Sequence, residues 1–141
     1  MIKRIFLAII MISCLVMSNC TMPEMVEAKF EKETEEIINE LKLLKNFEDA
    51  GIRWHVTTSG EKNFHSLQVQ LLNGEDLSED EEILKKIGKE ALKIVFNSIE
   101  NEEEYDGFNV MFIQKKSIGI VSSSFNKGFG YKYEEIIDDS L

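Results

Sequence analysis

The chain is predicted to fold as an α+β domain, with a mainly antiparallel sheet of four or five strands and two helices packed on it, in the order αββαββ. Three observations predict it. Residues 24–47 and 78–99 carry apolar side chains at helical spacing. Residues 52–58 and 67–71 alternate apolar and polar side chains. Residues 108–125 hold two further short apolar runs around a polar break.

In the first helix, Val26, Phe30, Ile37, Leu41 and Leu44 recur on one face with Ile38 beside them. Pro23 suits a first turn, and Ala50-Gly51 marks the expected exit. The first strand points Ile52, Trp54 and Val56 one way and Arg53, His55 and Thr57 the other. Gly60-Glu61-Lys62-Asn63 is a hairpin-length connection. In the second strand, Leu67, Val69 and Leu71 alternate with Ser66, Gln68 and Gln70, and Asn73-Gly74 breaks the run.

Ser78-Glu79-Asp80-Glu81 reads as a capping box. The helix it opens runs to about Ile99, with Ile83, Ile87, Ala91, Ile94, Val95 and Ser98 as its expected inner stripe. Gly88 costs up to about 1 kcal/mol relative to Ala in a helix, and close approach to the sheet accounts for it. Acids in the first turn and Lys85, Lys86, Lys89 and Lys93 after them suit the helix dipole and i,i+4 pairing.

Phe108 to Ile113 is apolar on both faces, the pattern of a central, covered strand. Lys115-Lys116-Ser117 is the expected turn, and Ile118 to Phe125 the next strand. Phe129, Tyr131 and Tyr133 either continue that strand or form a fifth, and the sequence leaves both open. The crossover through the second helix allows strands two and three to lie parallel. Glu134 to Leu141 reads as a frayed end or a short helix.

The N-terminus has a different grammar. Lys3 and Arg4 precede an apolar run from Ile5 to Met17, broken only by Ser13 and Cys14. At about 13 residues the run is short of the roughly 20 that a spanning helix needs, and Pro23-Glu24 ends any continuation. The segment Met17-Ser18-Asn19-Cys20 follows. Together these resemble the export signal and lipobox of bacterial lipoproteins. The resemblance covers residues 1–20 and departs from the pattern at two positions. Met17 stands where Leu is preferred, and Asn19 where Gly or Ala is.

The resemblance implies that residues 1–19 are a signal peptide that is removed. Residues 20–23 are then a lipidated N-terminus and short tether, and 24–141 a single α+β domain. Cys20 would carry a diacylglyceryl thioether, making the membrane a partner through its lipid. Thr21 rather than Asp after the cysteine implies sorting to the outer membrane of the cell envelope. Cys14 is the competing modification site, but cutting there leaves Leu15-Val16-Met17 as an exposed apolar stub.

The net charge is −10, and removal of the basic leader takes it to about −12. That argues against nucleic acid, which demands a basic footprint. It fits a solvated surface or a basic partner. Loss of Cys14 and lipidation of Cys20 leave no free thiol, hence no disulfide framework, cysteine zinc site or cysteine nucleophile.

His55 and His65 are expected on opposite strand faces, and zinc catalysis needs about three protein ligands, so no metal is expected. Ser122-Ser123-Ser124 lacks the strand–turn–helix elbow of a serine nucleophile. The acidic run Glu102 to Asp106 lacks EF-hand ligand spacing. Gly128-Phe129-Gly130 lacks the setting of a phosphate loop. No cofactor and no enzymatic activity are expected. The candidate binding face combines Arg53, His55, Thr57, Gln68 and Gln70 with the aromatics Phe129, Tyr131 and Tyr133. The expected role is a non-enzymatic binding or assembly module with an envelope protein partner. The alternative is an inhibitor or immunity protein neutralising a basic toxin or hydrolase.

Overall fold

In a computed structural model, residues 23–118 and 121–138 are described. The expected signal peptide, Cys20 and the residues at 119–120 lie outside them. Among the described residues the elements are helix α1 (Thr34–Leu43), strands β1 (Asp49–Ser59) and β2 (Lys62–Leu72), and helix α2 (Glu81–Phe96). Strands β3 (Gly107–Ile118) and β4 (Val121–Tyr131) and helix α3 (Tyr133–Ile137) follow. One 3-10 turn, Glu102–Glu104, precedes β3.

The fold is α+β with one four-stranded sheet in the order β1-β2-β3-β4. The expected mainly antiparallel sheet is corrected to a mixed one. β1–β2 and β3–β4 are antiparallel, while the central pair β2–β3 is parallel from Ser66↔Gly107 to Leu72↔Ile113. A return through α2 on one side of the sheet brings the chain back to start β3 beside the middle of β2. Among the described residues a third, short helix joins the two expected: α3, the short-helix option at the C-terminal end, whose Ile136 is fully buried.

β2 and β3 pair over only part of their lengths, and this shapes the molecule. Beyond Ser66, Val56–Ser59 and Lys62–His65 continue as a two-stranded ribbon closed by Gly60-Glu61. Gly60 has φ +64° and Glu61 does not enter positive φ, as a turn with glycine first requires. Past Ile113, residues 114–118 and 121–125 form a second ribbon. Because β2 and β3 run parallel, the ribbons leave the sheet at opposite ends. The second ribbon absorbs Lys115-Lys116-Ser117, expected as a turn, into β3. A ribbon with no third strand has no buried face to enforce alternation, so its polar residues looked like a loop. Phe129 and Tyr131 belong to β4 itself, so no fifth strand is formed from them.

The core lies between the sheet and the helices. Leu67, Val69 and Leu71 of β2 and Phe108, Val110 and Phe112 of β3 meet Ile37 and Leu41 of α1 and Leu84, Ala91, Leu92 and Val95 of α2. Phe96 packs edge-on against Phe108 at a centroid distance of 4.6 Å. Truncating one of the larger side chains to Ala is expected to cost about 2–5 kcal/mol.

Both helices differ from their sequence expectation. The helix expected over 24–47 is confined to Thr34–Leu43, and its exit is Asn46 at φ 45°, not Ala50-Gly51, which belongs to β1. Residues 23–30 are extended, with Val26, Ala28 and Phe30 half-buried and Met25, Glu27 and Lys29 exposed. That is period two, not 3.6. Tertiary hydrogen bonds hold it: Asn101, buried to 3 % exposure, accepts from the Lys29 N–H at 2.9 Å and donates to the Glu27 carbonyl at 3.1 Å. The Tyr105 hydroxyl donates to the Val26 carbonyl at 3.2 Å. Phe30 bridges Ile99, and the Glu31 N–H donates to the Ser98 carbonyl at 2.8 Å.

In α2 the inner stripe is Leu84, Ile87, Gly88, Ala91, Leu92 and Val95, with Ile83 exposed. The cap is Asp80, whose Oδ1 accepts from the Glu82 N–H at 2.9 Å, while Ser78 Oγ accepts from the Asp80 N–H at 3.1 Å. The cap two residues along corrects the expected capping box, while Ile87, Ala91 and Val95 of the expected stripe are buried as read. Gly88 does permit the close approach expected of it. A Cβ there would stand 2.4 Å from Tyr131 Oη.

Candidate functional site

The sheet has one face covered by helices and one that is not, and strand register divides the candidate residues between them. On the uncovered face, Arg53 lies beside Gln68 and Gln68 beside Asn109, while Gly51 lies beside Gln70 and Gln70 beside Met111. His55 faces Ser66, and Thr57 faces Phe64. Arg53, His55 and Thr57 are exposed, and Gln68 and Gln70 are half-buried. Gln70 Nε2 donates to Gln68 Oε1 at 2.9 Å, so the two amides already satisfy part of each other's hydrogen bonding. Gly51 and Gly107 on this face have nothing within 4 Å of where a Cβ would stand. This face carries the amides of Gln68, Gln70 and Asn109, with half-buried Met111, Leu72 and Ile113 toward its other end.

The aromatics do not join it. Phe129 pairs with Val110 and Tyr131 with Phe108, which puts both rings on the helix-covered face. Phe129 lies 6.1 Å from Phe112, ring to ring, and Tyr133 lies 5.5 Å from Phe96 at the start of α3. The eight candidate residues therefore do not share one face: five lie on the open face, Phe129 and Tyr131 on the covered one, and Tyr133 in α3. The glycines at 128 and 130 are the outward residues of that stretch of β4. The misplaced turn at 115–117 had left its parity undetermined.

Phe129 and Tyr131 instead wall a groove of about 620 Å³ between α2 and β4, edged by Lys85, Lys86, Lys89 and Lys93. Glu82, Glu90 and Glu135 interleave with those lysines. Lys85 pairs with Glu82 at 3.2 Å, and Lys89 Nζ donates to the Asp138 carbonyl. Tyr131 Oη donates to the Lys85 carbonyl at 2.9 Å. Burial, with Glu135 nearby, raises its phenol pKa to about 12 by disfavouring the phenolate. A smaller cavity of about 220 Å³ has Leu77, Glu79, Gln114, Ser123, Ser124 and Phe125 around it. Neither histidine lines it, so Ser123 and Ser124 have no imidazole base there.

The histidines fall on opposite faces, because His55 pairs with Ser66 and His65 with Val56. They cannot share a ligand. His65 Nδ1 is buried with no hydrogen-bond partner. Among the described residues no group of three or more His, Cys, Asp or Glu is placed to hold a metal ion. None of the helices among them is long and apolar enough to cross a membrane.

Sequence reasoning missed Asn101 and Tyr105, which fasten the N-terminal segment. Two signals were present: the alternation Val26-Ala28-Phe30, and an aromatic residue at the end of an acidic run. No protein-family model, curated protein or solved structure matches the chain.

Proposed function

We propose that this is a small lipoprotein of the bacterial cell envelope, anchored through acylated Cys20 and acting as a non-enzymatic binding or assembly module. The observation that carries the reading is the basic start, the short apolar run and Met17-Ser18-Asn19-Cys20. Two fold features support it. The domain begins close to that cysteine, since the Tyr105 and Asn101 side chains already donate to the Val26 and Glu27 carbonyls. The uncovered sheet face offers Arg53, His55, Thr57, Gln68 and Gln70 to a partner without rearrangement of the core.

Intact mass of the chain purified from its native membrane tests the anchor. A chain beginning at Cys20 with an acyl adduct, absent from Cys20→Ala, is expected. A free Cys20 thiol would end the reading. For the binding role, Arg53→Glu with Gln70→Lys is expected to abolish recovery of an envelope crosslink that the parent chain gives.

The acidity favours a second reading, an inhibitor or immunity protein against a basic toxin or hydrolase. Association would then be electrostatically steered and slowed steeply by salt. Binding indifferent to salt would rule that reading out.

A further inference from the structure

We infer that the end of the fold carrying the β1–β2 ribbon is its membrane-contacting surface, with the ribbon tip touching the lipid bilayer. This rests on the lipid anchor proposed above and says which part of the domain meets the lipid.

The topology places three things at one end. The β1–β2 ribbon projects past Ser66, the point where β3 begins at Gly107. Tyr105 and Asn101 immediately precede that start, and they hold Val26, Glu27 and Lys29. Reading from Phe30 back to Val26, the extended segment runs from Ile99 to Tyr105, toward the ribbon's end of the sheet. The chain therefore leaves the fold beside the ribbon. The β3–β4 ribbon points the other way.

The lengths are commensurate. From Cys20 to Val26 the chain has six Cα steps, a reach of at most about 20 Å. The ribbon extends four residue pairs beyond the three-stranded part, Val56↔His65 to Ser59↔Lys62, which is about 13 Å before the turn is added. A fold tethered so closely cannot lift the ribbon far from the headgroups.

The chemistry fits contact with lipid. Six large apolar or aromatic side chains are exposed among the described residues, Leu43, Ile83 and Ile137 on the helices and Met25, Phe64 and Tyr133, the last three by 54 %, 45 % and 41 %. These last three lie at this end: Met25 in the tether, Phe64 in the ribbon, and Tyr133 just past Tyr131, the partner of Phe108. From Thr57 to Phe64 the charged residues are Glu61 and Lys62, which balance in a chain of net charge −10. Behind the tip stand Glu24, Glu27, Glu102, Glu103, Glu104 and Asp106. Those acids would be repelled by anionic headgroups, so the neutral tip is the part that reaches the interface at least electrostatic cost. The tip residues Ser59-Gly60-Glu61-Lys62 are polar, and it is the rings of Phe64 and Tyr133 behind them that match the interfacial preference of aromatic side chains.

The test uses the natively processed chain in phosphatidylcholine vesicles, with Ser59→Cys or Ser124→Cys carrying a fluorophore. Ser124 lies on the opposite ribbon. Nitroxide-bearing headgroups are expected to quench position 59 several-fold more than position 124. Phe64→Ser should reduce that difference, and added phosphatidylserine should reduce it further. Equal or reversed quenching in a chain that floats with the vesicles would overturn this inference while leaving the anchor intact. A chain that does not float and has a free Cys20 would overturn the anchor and the inference together. Disulfide-linked pairs formed by unlabelled Ser59→Cys chains in air, with no lipid quenching of the labelled ones, would assign the ribbon to a second copy and overturn the lipid contact.

Discussion

On the covered face of the sheet, Leu67, Val69, Leu71, Phe108, Val110 and Phe112 are all buried. On the other, Arg53, His55 and Thr57 stand in solvent beside Gln68 and Gln70. The strands are the same, and parity alone separates the two sets. The glycines sharpen the contrast. On the covered side, Gly88 makes room for Tyr131 and Gly74 for Phe47, whose Cε1 would stand 2.5 Å from an added Cβ. Gly51 and Gly107 on the open side make room for nothing. One face is specified by shape, and the other only by polarity. Stability should depend on the first and tolerate change on the second.

The largest effect should come from Phe108→Ala, which removes the ring between Phe96 and Tyr105. A loss of about 3–5 kcal/mol is expected in denaturant unfolding. A loss below about 1 kcal/mol, the size of an ordinary surface change, would break the comparison. Next is Gly88→Ala. Its gain in helix propensity is up to about 1 kcal/mol. Displacing a Tyr131 ring fixed by its bond to the Lys85 carbonyl should outweigh that gain, for a net cost of about 1–2 kcal/mol. In a Tyr131→Phe background, which lacks the crowding oxygen, most of that cost should vanish. An unchanged cost would mean that the glycine serves some other contact.

Alkaline unfolding probes the covered side by another route. Burial raises the Tyr105 and Tyr131 phenols from an ordinary 10 to about 12 in the fold, with Glu104 and Glu27 adding to the first and Glu135 to the second. The fold therefore holds these protons more tightly than the unfolded chain does. Their contribution is complete below pH 10 and is lost as pH rises from about 10 through 12. Melting temperature should fall across that window, and less so in Tyr131→Phe. The smallest effects belong to the open face. Gly51→Ala should stabilise by up to about 1 kcal/mol through the unfolded chain, and Gln68→Ala should stay within about 0.5 kcal/mol. Thermal melts decide both, and a large loss from either would show that the open face is packed.

The legible parts of the sequence were those where one face is buried and the other is not. Trp54 and Val56, then Leu67, Val69 and Leu71, announced β1 and β2 because water on one side and core on the other impose period two. The β3–β4 ribbon was misread at Lys115–Ser117 because no third strand pairs there to impose a period. Val26 and Phe30 fit a helical repeat as well as a strand repeat, and Ala28 between them was the discriminating residue. What makes that stretch extended is Asn101, more than 70 positions away in the chain, which no local window contains. For the site, five outward polar residues were read correctly from alternation. Phe129 and Tyr131 fall on the other face, because the parity of β4 depends on where its turn falls, and Tyr133 lies past the strand in α3.

The parallel pairing of β2 with β3 has a consequence for how the molecule is made. Each hairpin joins strands that are neighbours in sequence, so each can close early through short-range contacts. The ladder that unites them joins residues 66–72 to 107–113 across the connection 73–106 and must wait for the whole crossover, including α2, to come round. Until then the inner edges of both hairpins, with Leu67, Val69, Val110 and Phe112 along them, carry unpaired backbone that another chain can match. The interval between hairpin closure and crossover docking is therefore the chain's period of greatest susceptibility to intermolecular pairing, and α2 is the element whose arrival ends it.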